Sequence, residues 1–431
     1  MTGFVTRPAA LTGVADSYAG RADELSGLAT DLDTAPAGLP AGAFGGLTES
    51  ATLRSAYASA LGTVGSSVRD GGRSLSTVVT GLRTSAANYL GGDSDAATAY
   101  RSLLGADDAA TGGPFADRIA ANRQKVTDAL TAERAHLDQL RAEESAHEQR
   151  NFFARLFDGD GDLADDIASS QHRVDLYQSI VDDNRKILDF DPTGQGRIVE
   201  LVGDISADTH DVGVLVPGTF ANLDNYDGLY ERAKSFVDAD PTGGLAMVTW
   251  QDGDFPPSLP HAAQAGYAQD LSPRLADFSH DLRDQIDSSA AAGNDVQVTV
   301  AGHSYGGAVV GLAEHDGLDA DRVLSIESAG MGHGDWTPAD LHDTQPDVQR
   351  YSMTAPGDPI SYVQGVELGS LGHGADPDTF PGTVDLATGN YPDGRELSGV
   401  SAHSDVFTYH SDAWWNMYGV FTGGPVTTVQ P

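Results

Sequence analysis

The chain has 431 residues, and 63 aspartate and glutamate side chains against 25 lysine and arginine side chains give it a net charge of −38. This length predicts two or three domains, and the negative charge disfavours binding to nucleic acid or to anionic membranes. Cysteine is absent, which excludes disulfides, zinc–thiolate sites and a cysteine nucleophile. No apolar run reaches the ~18 residues of a membrane span, and Met1–Gly20 lacks the apolar segment of a cleavable signal peptide.

The N-terminal region, residues 1–110, is predicted to form a helical hairpin. The first helix covers Ala10–Asp33, and the prolines and glycine of Thr34–Pro40 end it. The second helix covers Glu49–Leu90, where apolar and small residues recur every three or four positions and form one apolar face. Such a face is typical of a helix that packs against another helix.

Residues 111–192 are predicted to form a second antiparallel helical pair, Phe115–Arg155 and Leu163–Leu188. Both stretches carry apolar residues at helical spacing among many charged ones. The acidic segment Asp158–Asp162 between them begins like a calcium-binding loop, but the glycine and the bidentate glutamate of that loop are missing. We interpret it as a turn, and no metal site is predicted.

Residues 193–431 are predicted to form an α/β domain. Short runs rich in β-branched residues alternate with helical stretches, which predicts a mostly parallel sheet with helices on both faces. The predicted strands are Arg197–Val202, Val212–Val216, Leu245–Trp250, Val296–Ala301, Arg322–Ile326, Val348–Met353 and Thr383–Leu386, with helical stretches at Leu223–Val237, His261–Ala291 and Tyr305–His315. Functional sites are expected at the carboxyl ends of such strands.

The motif G-x-S-x-G occurs at Gly302–Gly306, between Val296–Ala301, a buried strand, and Ala308–Ala313, an apolar helix. This is the strand–turn–helix context of a nucleophile elbow. Side chains in place of either motif glycine would strike the neighbouring strand and helix, and Ser304 would lie at the exposed apex near the positive end of the helix. Ser304 is therefore the predicted nucleophile, and the alternative is a glycine-rich turn with an idle serine.

A serine nucleophile needs a histidine base and an acid, in the chain order Ser, acid, His. Asp358, in a Pro/Gly turn after a predicted strand, is the predicted acid; Asp335 is its rival, and capping a turn is its alternative role. His403, which lies past the last predicted strand among small residues, is the predicted base. His410 and His373 are the alternatives.

The predicted oxyanion hole consists of two backbone N–H donors. One is expected from Tyr305, directly after the nucleophile, and the other from Thr219 or Phe220, in the turn that follows an early strand. His303 lies inside the elbow and is expected to pack beneath it.

Several of these segments together resemble the actinobacterial alpha/beta-hydrolase family of unknown function. They are Val214–Thr219, Val248–Trp250 with Phe255–Pro257, the elbow Gly302–Gly306, and His403–Asp405. The resemblance extends over Gly196–Gly424 and implies an alpha/beta-hydrolase fold with a triad of Ser304, Asp358 and His403. It implies no particular substrate.

The N-terminal hairpin is similar to the WXG-type proteins that type VII (ESX) secretion systems export. Phe44–Gly46 takes the place of the W-x-G turn, with phenylalanine instead of tryptophan, and Tyr89 and Asp93 match the Y-x-x-x-D/E signal. The resemblance implies a secreted or cell-envelope location, with the type VII machinery as a partner; otherwise the protein is cytoplasmic. Oligomerisation through these helices, or a cap over the hydrolase, is the alternative role of the hairpin.

The predicted function is a serine hydrolase that cleaves an ester, thioester or amide through an acyl-enzyme on Ser304, without a metal or organic cofactor. A small-molecule or lipid ester is the first choice, because the net charge of −38 disfavours strongly anionic substrates. Two alternatives stay open. One is an inactive hydrolase fold that serves as a secreted binding or effector protein, and the other is a type VII toxin with hydrolase activity.

Overall fold

The computed structural model describes residues 114–148, 160–334, 337–362, 364, 367–368 and 371–429. The predicted N-terminal hairpin lies outside these residues, and so do Tyr89 and Asp93 of the export signal and the rival acid Asp335. Type VII export and the role of the hairpin therefore stay predictions. Among the described residues, no helix is long and apolar enough to cross a membrane.

An eight-stranded sheet forms the centre of the described structure. Its strands are β1 (Lys186–Asp191), β2 (Arg197–Val202), β3 (Asp211–Val216), β4 (Leu245–Gln251), β5 (Gln297–His303), β6 (Arg322–Ile326), β7 (Gln349–Met353) and β10 (Thr383–Asp385), and β8 (Glu367–Leu368) and β9 (Leu371–Gly372) form a separate ribbon. The strand order is β1-β2-β4-β3-β5-β6-β7-β10. All neighbours from β4 across to β10 are parallel, whereas β2 lies antiparallel to both β1 and β4.

Helices cover both faces of this sheet. They are α1 (Phe115–Glu148), α2 (Asp160–Asp182), α3 (Tyr226–Ala239), α4 (Leu259–Ala262), α5 (Gly266–Ser288), α6 (Tyr305–His315), α7 (Ala402–Asp405) and α8 (Asp412–Thr422). One apolar cluster joins α3 and α8 to the sheet through Phe236 and Trp414, and a second joins α5 and α6 through Leu275 and Val309. Because side chains alternate along a strand, β3 contributes Val214 to the second cluster and the next residue to the first.

Helix α1 packs along the β1 edge of the sheet and contributes to both clusters. Val126 belongs to the first cluster and Phe115 to the second. The Arg118 guanidinium donates from Nε to the Leu188 carbonyl at 3.0 Å and pairs with Asp281 on α5 at 3.3 Å. Helix α2 packs against α1. The two helices are thus part of the same packed core as the sheet.

The predicted helix Leu163–Leu188 is too long. It ends at Asp182, and its last two apolar residues, Ile187 and Leu188, belong to β1. Asn184, with a left-handed φ of 53°, lies between the helix and the strand. Strand β1 is buried on both faces and lacks a clean apolar–polar alternation, so periodicity alone does not separate it from a helix end.

A second prediction that the structure corrects is the single helix over His261–Ala291. The chain forms two helices there, α4 and α5, and the residues between them make a turn before Gly266. Glycine is a poor helix former, which favours a break at this point. The strands predicted from the sequence agree with the observed strands to within about two residues.

Candidate active site

The turn between β5 and α6 holds Ser304 at the carboxyl edge of the sheet. Its backbone lies in the left-handed region, with φ 55°, which residues other than glycine rarely adopt. The Ser304 N–H donates to the Ile326 carbonyl at 2.9 Å, and the Ser304 carbonyl accepts from the Ala329 N–H at 3.0 Å. These bonds fix the strained residue against the end of β6.

The two motif glycines permit the close contacts of this turn. A Cβ on Gly302 would lie 2.4 Å from the Gly306 carbonyl oxygen, and a Cβ on Gly306 would lie 2.4 Å from the Pro217 carbonyl oxygen. Both distances are far shorter than a van der Waals contact. Glycine is therefore needed where α6 begins against the end of β3, as expected for a nucleophile elbow.

The structure brings Ser304, His403 and Asp358 together, although they lie far apart in the sequence. His403 Nε2 is 2.9 Å from Ser304 Oγ, and His403 Nδ1 is 2.7 Å from Asp358 Oδ2. A carboxylate only accepts, so Nδ1 carries the proton and Nε2 is free to accept from the serine hydroxyl. This neutral tautomer is the one that a general base beside a serine needs.

Asp358 is the ionised member of this group. Asp358 is only 2% exposed to solvent. Burial alone would raise the pKa of Asp358, but the hydrogen bonds from His403 and the Ile360 N–H, together with the neighbouring Glu327 carboxyl group, outweigh burial and hold the pKa below its ordinary value. The Ile360 N–H donates to Asp358 Oδ1 at 2.9 Å.

A further carboxyl group, Glu327, lies beside Asp358, and the sequence reasoning missed it. Glu327 directly follows β6, is fully buried, and accepts a hydrogen bond from the Ala355 N–H at 2.9 Å. Burial, together with the nearby, negatively charged Asp358 carboxylate, raises the pKa of Glu327 to about 10. The sequence feature that could have identified Glu327 is its position directly after a predicted strand of a parallel sheet, where functional residues are expected.

Glu327, Asp358 and His403 also form the one group of possible metal ligands found among the described residues, with ligand atoms within 4.8 Å of one another. Both ring nitrogens of His403 are engaged, one with Asp358 and the other with Ser304. A cation would have to displace these bonds. The donor set therefore fits a hydrogen-bonded acid–base chain better than a metal site.

The histidines considered as alternatives to His403 make ring contacts elsewhere. His373 packs edge-on against Tyr305, with ring centroids 5.1 Å apart. His410 stacks on Trp415 with centroids 5.3 Å apart. Neither arrangement resembles the chain of hydrogen bonds through His403.

His303 lies directly behind this chain. Its Nε2 donates to the His403 carbonyl at 2.7 Å, and its ring packs edge-on against Phe407. Burial, with smaller effects from Arg232 and His403, lowers the pKa of His303 to about 3. His303 is thus a neutral support for the backbone of His403.

The turn after β3, which carries the predicted oxyanion donors Thr219 and Phe220, lies against Ser304. A Cβ on Gly218 would lie 2.7 Å from the Cβ of Ser304, so this turn touches the serine. Of the two candidates, Phe220 donates its N–H to the Pro256 carbonyl at 2.8 Å, which leaves Thr219. The Tyr305 N–H belongs to the first turn of α6, where a helix offers no internal acceptor.

The strand order, the elbow between β5 and α6, and the groups that follow later strands define the alpha/beta-hydrolase fold. Residues 191–368 match the family model described as alpha/beta hydrolase, so this part of the chain is an alpha/beta-hydrolase domain. The matched segment contains Ser304 and Asp358, whereas His403 follows it.

Several solved structures are similar to the chain at low identity, and no curated protein matches it. XC6422 from Xanthomonas campestris, described as a serine hydrolase without a lid, is 16% identical over 47% of this chain and 85% of its own, with a TM-score of 0.26. A dienelactone hydrolase-like promiscuous phosphotriesterase from metagenomic libraries is 13% identical over 56% and 97%, with a TM-score of 0.32. The fold assignment rests on the strand order and the family match.

Gly306→Ala should lower the free energy of unfolding by about 1–3 kcal/mol, because the new methyl group would overlap the Pro217 carbonyl. Urea denaturation measures the difference. Gly228→Ala is the matched control, since Gly228 lies in α3 with open space around its Cβ position and should be unchanged or more stable. Equal stability of the two variants would contradict the tight turn.

The low pKa of His303 predicts acid sensitivity of the fold. Folding lowers the pKa of His303 from 6.5 to about 3. Between these two pH values the unfolded chain binds a proton at His303 that the folded chain does not bind. The free energy of unfolding therefore has its full value above pH 6.5 and decreases as pH falls toward 3. His303→Gln keeps an N–H donor but does not titrate. Between pH 6.5 and about 3, the free energy of unfolding of this variant should therefore fall by about 1.4 kcal/mol less per pH unit than that of the wild type. Urea unfolding at several pH values tests this, and parallel slopes would contradict it.

Proposed function

We propose that the protein is a serine hydrolase that cleaves a carboxylic ester through an acyl-enzyme on Ser304. The observation that carries the proposal is the unbroken hydrogen-bond chain from Asp358 through His403 to Ser304 Oγ, with links of 2.7 and 2.9 Å. An elbow serine alone would be inert, because its hydroxyl needs a base to accept the proton.

The first half of the reaction forms the acyl-enzyme. Ser304 Oγ attacks the ester carbonyl carbon while His403 Nε2 takes the hydroxyl proton, and the carbonyl π electrons move to the oxygen. Asp358 stabilises the resulting imidazolium through Nδ1. When the tetrahedral intermediate collapses, the C–O bond to the alcohol breaks and His403 returns the proton to the leaving alkoxide.

The second half repeats these steps with water. The water oxygen attacks the acyl carbon while His403 takes a proton from the water. His403 then gives this proton to Ser304 Oγ as the bond between Oγ and the acyl carbon breaks. In both halves the backbone N–H groups of Tyr305 and Thr219 would donate to the negative oxygen. Losing one such donor typically costs about 3–4 kcal/mol of transition-state stabilisation.

Ser304→Ala tests the proposal directly. The wild-type chain should react with a fluorophosphonate probe and hydrolyse p-nitrophenyl esters, and Ser304→Ala should do neither, with turnover reduced by about 10⁶-fold. Ser288→Ala, at the distant end of α5, is the matched control and should behave as wild type. Wild-type protein that neither labels nor turns over esters would contradict the proposal.

Apolar side chains around the site support an ester with an apolar acyl group. Phe220 is 47% exposed after β3, Leu259 is 70% exposed after β4, and Val400 is 73% exposed just before His403. All three lie on connections at the carboxyl edge of the sheet, where Ser304 also lies. Exposed apolar residues at the sheet edge that carries Ser304 are candidates for a surface that binds the acyl chain.

Truncation of this apolar rim should change the acyl-chain preference. We expect Leu259→Ala combined with Val400→Ala to lower kcat/KM for p-nitrophenyl octanoate by about tenfold, and for the acetate ester by less than about twofold. Val384→Ala, which removes an exposed apolar side chain on β10, is the control. Equal effects on both esters would show that the rim does not contact the acyl chain.

A further inference from the structure

We propose that Glu327 is a positioning residue that keeps a proton on its carboxyl group and donates it in a hydrogen bond to the Asp358 carboxylate. The proposal rests on the proposed serine-hydrolase function and extends the chain of Ser304, His403 and Asp358 by one group. Glu327 does not touch the reacting atoms. It acts through Asp358, because it stabilises the ionised form and fixes the orientation of that carboxylate toward His403.

The contacts of Glu327 leave one oxygen for this bond. Its backbone N–H donates to the Met353 carbonyl at 2.8 Å, and its Oε1 accepts from the Ala355 N–H at 2.9 Å. Its Oε2 is buried and has no hydrogen-bond partner among the described residues. A ligand atom of Glu327 lies within 4.8 Å of the corresponding atoms of Asp358 and His403. A proton on Oε2 supplies the missing donor.

Charge and burial place this proton on Glu327 rather than on Asp358. The titratable groups that face Glu327 are Asp358 after β7, Asp378 in the segment before β10, and His403 on α7. Burial and the two aspartates raise the pKa of Glu327 to about 10. Asp358 instead receives donors from His403 and Ile360, which lower its pKa. Two adjacent buried carboxyl groups cannot both ionise without a large cost, so one keeps a proton.

Ser304, the proposed nucleophile, and Glu327, the proposed positioning residue, both have a strained backbone conformation. Glu327 has φ 43° and Ser304 has φ 55°, both in the left-handed region that such residues rarely adopt. They directly follow β6 and β5, which are neighbouring strands. Strained residues persist where the surroundings over-determine them, and they are common at functional sites.

In the proposed reaction, the bond from Glu327 matters most when His403 becomes an imidazolium. An Asp358 carboxylate that is stabilised by a second donor is a weaker base, so the Nδ1 proton stays on His403. The Asp358 anion then remains in place to stabilise the positive charge.

Three variants separate a positioning role from the alternatives. Glu327→Gln keeps an N–H donor, cannot ionise, and should retain kcat to within about threefold; Glu327→Met has no donor and should lose about 10- to 100-fold in kcat with KM unchanged. Asp358→Asn should lose about 10⁴-fold. Because loss of the donor raises the pKa of Asp358, the acid limb of the kcat/KM profile should move to higher pH in Glu327→Met and not in Glu327→Gln.

Infrared difference spectra at neutral pH provide a readout that does not depend on turnover. The wild type minus Glu327→Gln spectrum should contain the carbonyl band of a neutral carboxylic acid. Glu314, whose pKa is raised by burial to about 8, contributes the same band to both proteins and cancels. If Glu327→Met does not fold, Glu327→Gln and this spectrum decide the question.

The proposal is overturned if the infrared band is missing, if Glu327→Gln loses as much activity as Asp358→Asn, or if Glu327→Met equals wild type with an unshifted acid limb. The second outcome would make Glu327 the ionised acid. Wild-type protein without esterase turnover or fluorophosphonate labelling would instead contradict the proposed function, and the infrared spectrum would still report whether Glu327 holds a proton.

Discussion

The close approach of the β5–α6 turn to the end of β3 is the constraint on which the rest of the site depends. It requires glycine at Gly306, while the contact of Gly302 with the first turn of α6 requires glycine at Gly302, and Ser304 is left in a strained backbone conformation. The position of the reactive oxygen is thus set by the backbone and by hydrogen bonds to Ile326 and Ala329 rather than by a mobile loop. In the proposed reaction, most of the cost of orienting Ser304 would therefore fall on folding and not on substrate binding.

Parallel strands impose a second condition, which is electrostatic. Residues that follow β6 and β7 necessarily emerge side by side, and here both are acids, Glu327 and Asp358. The protein separates their charge states by their partners: Asp358 faces the N–H donors of His403 and Ile360, whereas Glu327 faces other acids. One carboxyl group can therefore serve as an anion and the other as a neutral donor within the same buried space.

The sequence was most informative where chemistry is coupled to local geometry. The strand–turn–helix pattern singled out Ser304, and the chain order of acid and base singled out Asp358 and His403, which the structure brings into contact. Glu327 was missed because its role depends on burial and on the adjacency of β6 and β7, and neither is visible in a local pattern.

Long-range contacts set the other limits of the sequence reasoning. The choice between Thr219 and Phe220 depended on the Pro256 carbonyl, which comes from a different loop. The helical pattern extends the predicted helix into β1, because a strand covered on both faces lacks the alternating pattern of a half-exposed one. In each case the deciding partner is distant in the chain.

The packing of α1 and α2 against β1 has a consequence for the limits of the folding unit. A chain cut at Gly196 would lose β1, and the backbone groups of β2 would become a free sheet edge able to pair with another molecule. It would also lose the apolar partners that Phe115 and Val126 give to the two clusters. The smallest self-sufficient alpha/beta-hydrolase domain of this chain therefore includes α1 and α2 as well as the sheet.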